Sequence, residues 1–171
     1  MSSSGLRLVV VPNSPIAEYE RAGCDRMERY YNPTGMFQEV FALSPLEHGE
    51  RKAFGMTIRG VSARDFVQTL REIKPHVVRA YGGHWPADLV VRHRLKEVPV
   101  IVSVHDKRSQ LVHPSVRYAD LVICVSSAVE SEVRSVGTSP KRIRILPHGI
   151  DTAKFHPITD ERALQAIARV L

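Results

Sequence analysis

The hydrophobic positions of this 171-residue chain fall into six short runs, separated by longer polar or amphipathic stretches. The runs are rich in β-branched side chains, and several are apolar at consecutive positions rather than at every second one. Continuous apolar runs of this length are typical of parallel strands that are covered on both faces. The six predicted strands are Leu8–Val11, Val40–Leu43, Val77–Ala80, Val100–Val104, Leu121–Val125 and Ile143–Leu146.

Helical patterns lie between the later runs. A capping box at Ser62–Asp65 predicts a helix that ends before Pro75, and Pro86 suits the first turn of a second helix. Ser126 or Ser127 is expected to cap a third helix, which Gly137 would end. Strand and helix therefore alternate from about residue 76 onward.

This alternation predicts an α/β fold with a Rossmann-like, open, mainly parallel sheet and helices on both faces. Two stretches are less regular. Residues 12–39 contain three prolines and two glycines, so we expect a long loop around one short helix. Residues 107–118 stay ambiguous between helix and loop, because Pro114 interrupts them.

The net positive charge of the chain is confined to its middle third and bears on which partners it could bind. The net charge is +6, and residues 59–118 contain eleven Lys and Arg against five Asp and Glu, while the remainder holds thirteen of each. Nucleic acid, an anionic membrane or a phosphate-bearing small molecule could each attract such a surface. The basic residues are scattered and not interleaved with aromatics, which make up only 6% of the chain. We therefore expect no specific nucleic-acid partner.

From the cysteines and the absence of a recognisable targeting segment in the first residues, we expect a cytoplasmic protein. Cys24 and Cys124 belong to no Cys-x-x-Cys motif and are interpreted as thiols in a reducing compartment. Residues 1–5 have neither the basic nor the apolar segment of a signal peptide, and no apolar run approaches the ~18 residues of a membrane span.

The candidate site follows from where the strands end, because open α/β sheets bind ligands outside the carboxyl ends of their strands. Three of the eight histidines, the only tryptophan and the Gly82-Gly83 pair all fall in these loops. Each histidine alone could be an ordinary loop residue. The candidate site residues are Asn13, Ser14, His84, Trp85, His105, Asp106, Ser126, His148 and Gly149.

Several site types are excluded by missing motifs. There is no Gly-x-Gly-x-x-Gly after the first strand, no P-loop and no Gly-x-Ser-x-Gly elbow. The three edge histidines lack the short His/Cys spacing of a zinc site, so we expect no metal. Histidine, serine, glycine backbone and basic residues remain. They suit an anionic, hydroxyl-rich ligand such as a nucleotide sugar or a phosphorylated acceptor.

Four segments in order resemble glycosyltransferase family 4. They are Ile73–His84 (proline, strand, His-containing loop), Val98–Asp106 (Val-Pro, strand, His-Asp), Ala119–Ser126 (Ala-Asp, strand, Ser) and Ile145–Asp151 followed by Phe155–Pro157. Tyr30–Pro33 and Phe37–Val40 resemble some members more loosely.

This resemblance implies a GT-B architecture of two Rossmann-like domains, of which the N-terminal one mainly binds the acceptor. It implies transfer with retention from a nucleotide-sugar co-substrate, without cofactor or metal. His105 falls on the family's cleft histidine, which contacts the transferred sugar, and His84, Ser126 and Gly149 fall on neighbouring strand-end loops. Two departures from the pattern are His148, where asparagine is usual, and Asn13-Ser14-Pro15, where a glycine-rich loop is common.

The resemblance also sets the expected domain organisation. Residues 1–157 form the acceptor-side domain and 158–171 a connector and helix, with the donor domain outside this chain. We therefore expect the chain alone to fold but not to catalyse transfer. Because many members glycosylate lipid-linked acceptors, we also expect peripheral contact with an anionic membrane at its inner face. The alternatives are a stand-alone Rossmann-like binding or regulatory module and a GT-B relative such as a nucleotide-sugar epimerase.

Overall fold

The computed structural model describes residues 5–24, 27–149 and 160–162 as one eight-stranded sheet with helices on both faces. The strands are β1 (Arg7–Val11), β2 (Glu39–Ser44), β3 (Glu50–Ala53), β4 (Met56–Gly60), β5 (Val77–Tyr81), β6 (Val100–Val104), β7 (Leu121–Cys124) and β8 (Ile143–Ile145). The α-helices are α1 (Ile16–Arg21), α2 (Met27–Tyr31), α3 (Phe66–Ile73), α4 (Trp85–Arg92) and α5 (Ser127–Ser135).

The strand order is β3-β4-β2-β1-β5-β6-β7-β8, so the chain grows outward from β1 in both directions. Every neighbouring pair is parallel except β3–β4, which confirms the predicted mainly parallel α/β fold. All six strands expected from the apolar runs are present, and no end differs from the predicted one by more than one residue.

The core has two layers because successive side chains of a strand point to opposite faces. In β1, Val9 and Val11 pack on one face together with α3, α4 and α5. Leu8 and Val10 pack on the other face with α1 and α2. Helix α3 anchors the first layer through Phe66, which is fully buried. Both faces are therefore covered, which is why the strands read as continuous apolar runs.

The hairpin of β3 and β4 was not predicted. Strand β3 is a charged edge strand whose residues alternate between exposed and half-buried, so it has no apolar run to detect. Phe54 and Gly55 connect the two strands with φ angles of 52° and 68°, the pair of positive values that a tight type I′ turn requires. A charged antiparallel strand at a sheet edge discourages pairing with other chains.

The expectation of one helix within residues 12–39 was wrong, since α1 and α2 both lie there. The buried carboxylate of Glu47 accepts a hydrogen bond from the Ile16 amide and so fixes the start of α1. The ambiguous 107–118 segment forms two short 3₁₀ turns, and Pro114 begins the second. Of the predicted connector and helix at 158–171, the structure describes residues 160–162, and 161 and 162 are helical. The boundary at residue 157 lies outside the described residues.

Helix α5 begins and ends as its sequence indicates. The Ser126 hydroxyl accepts a hydrogen bond from the Val129 amide at 3.3 Å and thus acts as the N-cap. Gly137 follows the helix with a φ of 91°, and its amide donates to the Arg134 carbonyl at 2.9 Å. Ser126, a candidate substrate-binding residue, therefore has a structural role.

We expect Ser126→Ala to lower the free energy of unfolding by about 1 kcal/mol, because the Val129 amide loses its capping acceptor. The measurement is urea denaturation followed by circular dichroism. Ser127→Ala is the matched control, since Ser127 is exposed at the next position. Equal stabilities of the two variants would contradict the capping role.

Candidate functional site

A cavity of about 340 Å³ opens where β1, β5 and β6 end, at the carboxyl edge of the sheet. We call it the edge cavity. Loops after these three strands meet side chains from α1 and α2 there. Its lining residues are Asn13, Tyr19, Tyr30, Tyr31, Tyr81, Gly82, Gly83, His84, His105, Asp106, Arg108 and Leu111.

His105 lies at the centre of this arrangement, directly after β6. Its Nδ1 is 3.3 Å from Nε2 of His148, and the two rings are nearly parallel, at 10° with centroids 5.1 Å apart. The Tyr81 ring is also within 10° of parallel to the His105 ring, with centroids 6.2 Å apart. His105 Nε2 is buried and has no hydrogen-bond partner within the described residues.

The surroundings of His105 keep its imidazole neutral. Burial, followed by the His148 ring and the Arg79 guanidinium, lowers the pKa of His105 to about 4. At neutral pH the ring therefore offers one N–H donor and one nitrogen acceptor rather than a positive charge. A neutral imidazole can hydrogen-bond a hydroxyl group without attracting a counterion.

Tyr81 and Arg79 are site residues that the sequence analysis missed. The Arg79 guanidinium carbon lies 4.5 Å from the Tyr81 ring centroid, and its Nε donates to the Ser103 hydroxyl at 3.0 Å. Burial raises the pKa of Tyr81 to about 12, and its hydroxyl is buried without a partner in the described residues. The detectable signal was a charged residue within the apolar run Val77–Tyr81.

An aromatic wall faces this group from α2. The Tyr31 ring is 4.6 Å from the Tyr81 ring and edge-on to it, and Tyr30 is 5.4 Å from Tyr81. Met27 and Tyr31 are buried, whereas Tyr30 and Met36 are 48% and 57% exposed. The aromatic and methionine side chains of the irregular region thus divide between core and surface.

The two glycines after β5 allow the loops to approach closely. Gly82 has a φ of 125°, and a Cβ there would lie 2.9 Å from Oδ1 of Asn13. A Cβ on Gly83 would lie 2.9 Å from the Leu111 carbonyl oxygen. A side chain at either position would displace the cavity wall, so these glycines shape the site.

Asp106 and Arg108 neutralise one another at the mouth of the cavity. Arg108 Nε lies 3.0 Å from both carboxylate oxygens of Asp106, and these side-chain hydrogen bonds lower the pKa of Asp106 to about 2. They are the charged side chains among the lining residues. The positive charge of residues 59–118 is therefore not concentrated in the cavity.

Four of those basic residues gather at the opposite, amino edge of the sheet. An open groove of about 560 Å³ lies between the end of α3 and the segment before β6. Arg71, Lys74, Arg94 and Lys96 line it, together with Glu97. Arg94 is already paired with Asp120 at 2.6 Å.

The structure brings some of the candidate residues together and separates others. Asn13, His84, His105 and Asp106 line the edge cavity. His148 and Gly149 line an adjoining cavity of about 250 Å³, which also includes Tyr30, Tyr81 and His105. Three candidates lie elsewhere: Ser14 is outside both linings, Trp85 packs against the core at the start of α4, and Ser126 caps α5.

Residues 5–24, 27–149 and 160–162 contain neither a cluster of metal-ligand side chains nor a helix that could span a membrane. Within this part of the chain, no three His, Cys, Asp or Glu side chains gather as metal ligands would. None of the described helices is long and apolar enough to cross a membrane.

Three solved glycosyltransferase structures of the GT-B class share the fold of this chain. The apo form of the lipopolysaccharide outer core galactosyltransferase WaaB matches with a TM-score of 0.56 and 14% identity, over 85% of this chain and 46% of that one. HepE from Anabaena, in complex with UDP, matches with a TM-score of 0.60 and 13% identity, over 96% and 49%. A sucrose-phosphate synthase structure from Thermosynechococcus elongatus matches with a TM-score of 0.54 and 13% identity, over 95% and 96%.

At these identities the structural similarity shows the fold alone, and the chain spans about half the length of WaaB and HepE. Comparison with curated protein sequences gives no match. The sequence profile of Glycosyltransferase Family 4 matches residues 8–154. The chain belongs to this family, as its four ordered sequence segments indicated.

The lowered pKa of His105 predicts how stability depends on pH. The unfolded chain binds a proton at this histidine near pH 6.5, and the folded chain only near pH 4. Unfolding therefore takes up a proton between these values, so stability falls as the pH is lowered through this window. We expect His105→Gln to lose less stability than the wild type between pH 7 and pH 4.5.

Urea denaturation midpoints across this pH range measure the effect. His48→Gln is the control, because His48 is exposed and outside the cavity. Parallel curves for the wild type and His105→Gln would show that His105 titrates alike in the folded and unfolded chains.

Proposed function

We propose that this chain is the acceptor-side domain of a retaining glycosyltransferase that takes its sugar from a nucleotide-sugar donor. The observation that carries the proposal is His105, a neutral imidazole whose Nε2 is buried and unpartnered at the edge cavity. Family membership supplies the reaction class. HepE has been crystallised with UDP and with UDP and glucose, which supports a nucleotide-linked sugar as donor.

The composition of the edge cavity favours the acceptor over the donor. A nucleotide sugar carries a diphosphate, whose charge requires cations and backbone donors. The charged lining residues, Asp106 and Arg108, already neutralise each other. Tyrosine rings, histidines and an asparagine amide remain, and these suit the hydroxyl groups and apolar faces of a sugar-like acceptor.

In the proposed reaction His105 hydrogen-bonds the transferred sugar. The acceptor hydroxyl oxygen bonds to the anomeric carbon as the bond from that carbon to the donor phosphate breaks, and the hydroxyl proton passes to the leaving diphosphate. During this step positive charge develops on the sugar and negative charge on the diphosphate. A preorganised hydrogen-bond donor such as the His105 N–H, in a cavity that excludes water, stabilises such charge more than a solvated group would. The cations for the diphosphate would come from a second Rossmann-like domain, which closes on this one and positions both substrates.

The test of the proposal is a screen of the two-domain protein against nucleotide sugars, with release of nucleotide as the readout. Transfer to an acceptor with retained anomeric configuration is the expected result. Absence of both transfer and hydrolysis with every donor would instead favour a binding or regulatory module. Recovery of an isomerised nucleotide sugar would identify an epimerase.

We expect His105→Ala to lower kcat of the two-domain enzyme by roughly 10²–10³-fold, because a hydrogen bond to the reacting sugar is lost. The melting temperature is measured in parallel, and His48→Ala serves as the control for removal of a histidine outside the cavity. A normal kcat with a lowered melting temperature would mean that His105 only stabilises the strand end.

We expect Tyr30→Ala to raise KM for the acceptor roughly tenfold, about 1.4 kcal/mol, and to leave KM for the donor unchanged. Tyr30 lines both cavities from α2 and is exposed in this domain. Tyr118→Ala is the matched control, because Tyr118 is similarly exposed at 53% but lines neither cavity. A rise in KM for the donor instead would place the nucleotide sugar against this wall.

A further inference from the structure

We infer that His148 is a positioning residue: its Nε2–H donates to Nδ1 of His105 and thereby holds His105 in the tautomer that presents Nε2–H to the substrate. The role of His105 towards the sugar rests on the proposed function. The coupling between the two imidazoles rests on their geometry and can be tested without any substrate.

The geometry allows one hydrogen bond between the rings. His105 Nδ1 and His148 Nε2 are 3.3 Å apart, and the ring planes differ by 10°. A neutral imidazole has one N–H and one lone pair, so a bond between two such rings requires that one donates and the other accepts. The tautomer of His105 is therefore linked to that of His148.

The backbone places His148 for this contact. His105 follows β6 and His148 follows β8, so the two side chains meet across the end of β7, which lies between these strands. The Leu146 amide donates to the Cys124 carbonyl at 2.8 Å, which extends the β7–β8 pairing to the start of the loop. Pro147 then restricts the backbone immediately before His148.

The charged and polar neighbours of His105 do not determine its tautomer. Arg79 and Tyr81 face it from β5, Tyr30 lies beside it from α2, and Asp106 and Arg108 in its own loop are paired together. Burial and the Arg79 cation lower the pKa of His105, so the neutral ring persists at neutral pH. What remains to be set is which nitrogen carries the proton.

The arrangement with His148 as donor matches each nitrogen to its surroundings. His148 is exposed, so water can donate to the lone pair that its other nitrogen then carries. His105 Nδ1 accepts from His148, and its buried Nε2–H has no hydrogen-bond partner among the described residues. An N–H at that position donates to a lone pair of an oxygen on the transferred sugar, whereas a nitrogen lone pair there could only accept from a hydroxyl group.

Two variants separate donor from acceptor at position 148. His148→Gln retains an N–H donor on a neutral amide, and His148→Glu replaces it with a carboxylate that only accepts. We expect nitrogen-15 NMR of the folded chain at pH 7 to show the Nε2–H tautomer of His105 in the wild type and in His148→Gln. In His148→Glu, Nδ1 of His105 becomes protonated. His105→Gln assigns the resonances by their disappearance.

In the two-domain enzyme, His148→Gln should retain kcat/KM within a few-fold, and His148→Glu should lower kcat by at least tenfold with an unchanged melting temperature. An Nδ1–H tautomer in the wild type, or the same tautomer in all three proteins, would overturn the inference. So would equal kcat values for the Gln and Glu variants after a demonstrated change of tautomer. If no sugar is transferred by any protein, the NMR result still decides the coupling, and only the proposed function fails.

Discussion

The pairing of β1 with both β2 and β5 is the constraint on which the site depends. The chain leaves β1 towards β2 through α1 and α2 on one face, and later leaves β5 towards β6 through α4 on the other. Loops that follow β1 and β5 therefore part in opposite directions, and a crevice opens between them. Asn13 and Gly82 lie on its two sides, in contact across the gap. The position of the edge cavity therefore follows from the strand order, and its side chains determine only its lining.

The side chains then determine what the crevice can bind. Arg79 lies on the face of the sheet that α2 approaches, held by Ser103 and by the Tyr81 ring. The Arg79 cation is thus close enough to disfavour an imidazolium at His105. The Tyr81 ring lies nearly parallel to the His105 ring. Cation and burial act in the same direction on His105. The resulting neutral histidine is a hydrogen-bonding group whose character depends on its tautomer.

The parts of this structure that the sequence predicted are those with a local cause. Strands buried on both faces leave continuous apolar runs, and Ser126 and Gly137 mark the ends of α5 through their own backbone chemistry. Strand β3 has no such pattern, because its charged residues form an edge and only its partner β4 defines it.

In the candidate site too, residues with a local sequence signal could be predicted, and residues that depend on tertiary packing could not. His84, His105 and His148 could be found because strand ends share one edge in a parallel sheet. Tyr81 lies inside a strand, and Tyr30 and Tyr31 reach it only through the packing of α2. That packing is tertiary and has no signature in the local sequence. Trp85 and Ser126 also follow strand ends. However, the Trp85 side chain packs against the core, and the Ser126 hydroxyl caps α5.

The division of charge within the domain has a consequence for the proposed reaction. The edge cavity is lined by one compensated ion pair, whereas Arg71, Lys74 and Lys96 line a groove at the far edge of the sheet, away from His105. A diphosphate bound in the edge cavity would therefore meet Arg108, which is already paired with Asp106, and Arg79 of the adjoining cavity would be the nearest other cation among the described lining residues. Neutral hydroxyl groups would lose little on entering the same space, since tyrosine, histidine and asparagine can exchange hydrogen bonds with them. In the proposed two-domain enzyme, the surface that closes over this edge would supply further positive charge. The affinity of this domain for a free nucleotide would consequently be weak, and binding of the donor would depend on closure.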